Sequence, residues 1–228
     1  MTELASTLRD YFAALDVTQV ELLHSERGAS FRGSSVSMEA SSITAAARSR
    51  HLSDGYGFWE HVVAAGITAK PDTRAGLYAG AVRHRPATET SQSMTVAEFT
   101  QTLRDGRWEQ LHGREMVSLS SRATTTNGSE IHLHLLDLGL PDGPSVIEAI
   151  RAGLDTLGID GALVSSGRSY HFYGLRISDW PEYATFLARA AFLSPLVDAR
   201  WVLHQLLDRR GALRISSNHR DTHTPTPA

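Results

Sequence analysis

Leu4, Leu8, Tyr11, Phe12 and Leu15 recur at helical spacing, so the chain is expected to open with an amphipathic helix over 2–17. Helices are also expected over 38–50, 58–65 and 96–104, the last begun by Thr95 with Glu98 three residues on, the spacing of a capping box. Between them, 25–35 is rich in Ser, Gly and Arg and reads as a loop, 76–83 as a short strand, and 86–93 as a mobile linker. The pattern then becomes extended. Residues 108–120 and 131–138 are expected to form a hairpin across the polar stretch 122–130, with Asn127-Gly128 as its turn. Val146, Ile147, Ile150, Leu154 and Leu157 line a helix ended by Gly158. Strands are expected over 162–165 and 170–177, helices from Asp179 to 192 and over 198–207, and a last strand over 212–216. This order implies an α+β fold, a sheet covered by helices on one side, with a mostly helical accessory region over 1–105, a core over 106–218 and a disordered tail over 219–228.

Composition narrows the chemistry. A hydrophobic share of 41% in 228 residues is enough for a real core. With no cysteine, disulfides, thiolate nucleophiles and thiolate-bound zinc are excluded, and any metal would rest on oxygen or imidazole ligands. No apolar run approaches a membrane span and the first residues do not resemble a secretory signal, so a cytoplasmic location is expected. The net charge of −3 exerts no overall pull on nucleic acid. Lys70 is the sole lysine, a skew that genomic base composition explains more simply than selection for phosphate contacts.

Three segments carry candidate chemistry. In 164–174, Ser166, Gly167, Arg168 and Ser169 form a polar turn, and Ser169 and His171, two apart, share one strand face. A hydroxyl, an imidazole, a backbone amide and an arginine together suit a phosphate, although a polar turn followed by a core histidine has the same sequence. Asp137 ends an apolar strand, where it is either a metal ligand or a turn cap. Asp198 begins a helix as a metal ligand or an N-cap, and Arg214 and Ser216 alternate onto one face of the last strand. His132 and His134 form an HxH pair without an evident third zinc ligand.

Leu136-Asp137, Ser169-Tyr-His171 and Val197-Asp198, in this order, resemble the three motifs of the archaeo-eukaryotic primase superfamily. The longer strings HLLDLGLP, SSGRSYHFYGLRIS and SPLVDARWVLHQLLDRRGALRISSN are most similar to its bacterial primase 1D-like group, over about 90 residues. The resemblance implies a primase-like (RRM-like) sheet and a metal-dependent nucleotidyltransferase that binds nucleoside triphosphate. Asp137, His171 and Asp198 would be catalytic, Asp137 and Asp198 would hold Mg²⁺ or Mn²⁺, and Ser166, Gly167, Arg168, Ser169, His171, Arg214 and Ser216 would meet the nucleotide. The pattern departs at Gly139, where the family's first motif carries a second acid; Asp142 is the nearest substitute. That departure raises the alternative of a catalytically weakened module acting through a protein partner. A single-stranded nucleic acid is a further candidate ligand, with Arg27, Arg32, Arg48 and Arg50 either lining a groove for it or, as is commoner, simply scattered over the surface.

Overall fold

The computed structural model describes residues 2–26, 37–54, 57–82, 89–108, 115–140, 143–167, 169–216 and 226–227. Two compact units emerge, residues 29–86 and the remainder of the chain. The larger holds one antiparallel sheet in the order β2-β1-β3-β4-β6-β5-β8, with β7 paired to β3. Its strands are β1 (Val17–Glu26), β2 (Glu89–Thr95), β3 (Glu115–Thr125), β4 (Glu130–Leu138), β5 (Gly161–Ser165), β6 (Tyr170–Ser178), β7 (Ala212–Arg214) and β8 (Thr226–Pro227).

Alternation along β4 and β6 divides the core into two layers. Leu133, Leu135 and Tyr173 join a cluster with Leu4, Leu8 and Phe12 of α1 (Thr2–Ala14) and Phe99 and Leu103 of α5 (Val96–Arg104). Leu136, Leu138, Tyr170 and Phe172 point the other way. They meet Ile150 of α6 (Pro144–Leu157), Tyr183 and Leu187 of α7 (Trp180–Ala191) and Val202 of α8 (Ala199–Asp208). Helices therefore cover both faces of the sheet, not one as expected, because α1 and α5 belong to the core.

This also moves the division expected at residue 105. Residues 17–26 form a strand, and 89–95 a second strand paired to it in antiparallel register from Gln19–Thr95 to Ser25–Glu89, where a linker was expected. Residues 29–86 are thus an insertion between two hydrogen-bonded neighbours of the sheet. The insertion holds α2 (Met38–Asp54), α3 (Phe58–Gly66) and α4 (Pro71–Ala81), packed around Ala47, Val62 and Leu77. The strand expected over 76–83 is instead mostly α4, set going by Pro71 at its first turn. The expected tail is described only at 226–227, which pair with Val164 and Ser165 of β5.

β3 and β4 form the expected hairpin, but β3 runs from Glu115 to Thr125 and pairs with β4 only over 122–124. Beyond that point the two strands part. β7 pairs with β3 at 118–120, along the stretch that β4 has left, and so approaches the far end of β4.

Candidate active site

The antiparallel register of β4 and β6 sets Asp137 directly opposite His171. His171 Nε2 lies 3.8 Å from Asp137 Oδ1; the imidazole is almost fully buried, whereas the carboxylate keeps 30% of its side-chain exposure. Asp198 arrives from the segment before α8. Val197 bridges to Leu138, and the Asp198 N–H donates to Asp137 O at 3.0 Å. The two motif acids are therefore neighbours through their backbones. Asp198 Oδ1 accepts the N–H groups of Arg200 at 2.9 Å and Trp201 at 3.0 Å, so this carboxylate also caps α8.

The turn between β5 and β6 is closed by short local bonds. Ser166 N–H donates to Ser169 O at 2.8 Å, and the two hydroxyls lie 3.1 Å apart. Gly167 adopts φ +92°, which glycine takes without strain, and its N–H reaches Ser165 Oγ at 3.3 Å. Arg214 Nη2 donates to Ser166 O at 2.8 Å and Nη1 to Ser216 O, so β7 holds this turn against the sheet. Arg168 and Asp142 lie outside the described residues.

Electrostatics bind these groups into one site. Burial, then the charge of Asp198, push the Asp137 carboxyl up to about 7, while Arg214 pulls it back. Burial, then Arg214, hold His171 down at about 3, so its ring is neutral at physiological pH and its contact with Asp137 is not an ion pair. His171 Nδ1 and Tyr173 Oη, two residues apart on one strand face, are both buried and have no hydrogen-bond partner among the described residues. Tyr173 escaped the sequence reading because, among Tyr170, Phe172 and Tyr173, it reads as one more core aromatic.

Two expectations change. Ser216 Oγ accepts the Val117 N–H at 3.0 Å and the residue is 1% exposed, so its hydroxyl has a structural role, fastening the segment after β7 to β3. His132 and His134 do not form a zinc pair. Their rings bond Ser121 Oγ at 2.9 Å and Ser178 Oγ at 2.8 Å and pack against Tyr183 of α7. Burial first, aided by positive neighbours, holds both near 4, as suits neutral core rings. Among the described residues no group of three or more His, Asp or Glu stands ready to hold a metal ion.

The Gly139 departure has a steric side. Its N–H donates to Leu196 O at 2.9 Å, and a Cβ at this position would stand 2.9 Å from Pro195 O and 3.8 Å from Asp198 Cα. The backbone before α8 occupies the space that a side chain would need.

The profile of the archaeo-eukaryotic primase 1D-like family matches residues 95–227, more than half of the chain. The chain belongs to that family. The matched stretch runs from the Thr95 cap of α5 to β8 and contains all three motif segments of this primase-fold protein. Neither a curated protein nor a solved structure gives a match.

Proposed function

We propose that this primase-fold protein binds a nucleoside triphosphate beside Asp137 and His171, together with one divalent cation, Mg²⁺ or Mn²⁺. The observation that carries the proposal is the convergence of Asp137, of the Ser166–Ser169 turn with His171, of Asp198 and of Arg214 from four separate chain segments. The donor set suits one hard cation. Two carboxylates stand close enough for one to raise the proton affinity of the other, a repulsion that a divalent ion between them would relieve. Such an ion takes few protein ligands and completes its shell with water and phosphate oxygens. When bound it would supply charge neutralisation at the phosphates.

The chain's own residues do the rest. Ser169 and His171 lie on the strand edge of the turn, where a hydroxyl and a neutral imidazole can hydrogen-bond phosphate oxygens. Arg214 brings a fixed positive charge near Asp137 and His171 and holds the turn through Ser166 O. Between the two activities open to such a site, Gly139 favours retention of nucleotide over strand synthesis, because the position has neither a carboxylate nor room for one. In this reading the protein acts through a partner that responds to the bound nucleotide. Nucleotidyl transfer is the second reading, and what favours it is that Asp137 and Asp198 are both kept and adjacent.

Calorimetric titration with each nucleoside triphosphate, with and without Mg²⁺ or Mn²⁺, tests the proposal. Metal-dependent binding that is lost in His171→Ala and Asp137→Asn is expected. Absence of binding to every triphosphate by folded wild-type protein would refute it. A primer-synthesis assay on the same samples separates the two activities.

A further inference from the structure

The two outer edges of the sheet are treated differently. The edge of β5 is met by β8, through Val164–Pro227 and Ser165–Thr226. Pro227 has no N–H, which makes β8 a poor template for any further strand. At the other end, β2 has no strand partner on its outer side among the described residues. Thr90, Ser91, Gln92, Ser93 and Thr95 are all exposed. Open edges are usually blunted by charged side chains, proline or a bulge, since their free N–H and C=O groups invite pairing. Glu89 is the single charged residue of β2 and stands at its first position; residues 90–95, Thr-Ser-Gln-Ser-Met-Thr, contain neither a charge nor a proline, and β2 pairs with β1 in unbroken register from 89 to 95.

We propose that β2 pairs antiparallel with the β2 of a second copy of this chain, joining two sheets across a twofold axis at Gln92. The sequence itself argues for a second copy. About Gln92, Ser91 falls opposite Ser93, Thr90 opposite Met94 and Glu89 opposite Thr95, so every pair is sterically modest and no like charges are opposed. An isologous contact of this kind closes on itself and leaves no further edge at the junction. The pairing is made by the backbone of β2, is tuned by the side chains that meet across the axis, and is independent of the nucleotide site.

Light scattering on the full chain over a wide concentration range tests the proposal, with Gln92→Lys and Gln92→Glu as variants. Gln92 is exposed, so both variants should keep the wild-type melting temperature. Wild type should approach twice the monomer mass as concentration rises. Each variant alone should shift the monomer–dimer midpoint upward by about tenfold or more, since like charges then meet at the axis. An equimolar mixture of the two variants should recover the dimer. A wild-type protein that stays monomeric throughout would overturn the proposal. So would a Gln92→Lys variant that dimerises as readily as wild type.

Discussion

Asp137 carries a cost that its position makes measurable. A carboxyl held up to about 7 by burial and by Asp198 is protonated more readily in the folded chain than in the unfolded one, whose ordinary value is 3.8. Its stabilising contribution is present in acid and is lost as pH rises through 7. Asp137→Asn should therefore raise the melting temperature by a few degrees at pH 8 and change it little at pH 4, by calorimetry, while abolishing cation-dependent nucleotide binding. Buried His132, His134 and His171 act in the opposite sense. With their values depressed to about 4, 4 and 3, they stay neutral in the fold, and stability falls as pH drops below 6.5. Three such groups outweigh one carboxyl, so net acid destabilisation is expected between pH 6.5 and 4. Cation affinity should strengthen by up to about tenfold per pH unit up to 7, as the metal displaces the Asp137 proton. At Gly139, substitution by Asp should destabilise by roughly 1–3 kcal/mol and add no second cation, because Pro195 O blocks the side chain. The candidate acids, the Ser-x-His strand and Arg214 were legible as residues, since polar groups interrupt apolar strands there. Structural roles were not: the bond from Ser216 to Val117 joins positions 99 apart, and nothing local announces it.

At the scale of elements, legibility followed the strength of local signals. α5 has the capping box that Thr95 and Glu98 announce, α6 ends at Gly158 in the left-handed region, and Asp179 and Asp198 cap α7 and α8. β2 gives no local strand signal because Met94 is its single apolar residue, so its pairing with β1 is what makes it a strand. α4 replaces the expected strand because Gly76 and Gly80 only weaken the helical signal, while Pro71 starts a helix that buries Leu77. Asp198 has two duties, and substitution separates them. Asn caps a helix nearly as well as Asp, so Asp198→Asn should keep the melting temperature while weakening cation binding; Asp198→Ala should also cost about 1 kcal/mol. Equal loss of stability in both variants would show that the charge, not the cap, supports α8.

For the molecule as a whole, the site depends on topology that no short window contains. β4, β6, the turn after β5, the bridge at Val197 and the entry of β7 between β3 and β4 bring the motif segments together. The insertion of residues 29–86 lies outside that set, because β1 and β2 pair with each other from Gln19 to Ser25 without it. Replacing 26–88 by Asn-Gly, which joins the paired Ser25 and Glu89 by a two-residue turn, should therefore leave a cooperatively folding protein with unchanged nucleotide affinity. A collapse of folding would instead make the insertion part of the core. No helix among the described residues is long and apolar enough to cross a membrane. In the proposed site one cation and a triphosphate meet at Asp137, Asp198 and His171. A crystal structure with Mn²⁺ and a non-hydrolysable nucleoside triphosphate tests it most directly. A single anomalous peak is expected within about 2.3 Å of carboxylate oxygens of Asp137 and Asp198, with phosphate oxygens in hydrogen-bond reach of His171 and Ser169. Nucleotide bound elsewhere, or manganese held without either aspartate, would contradict it.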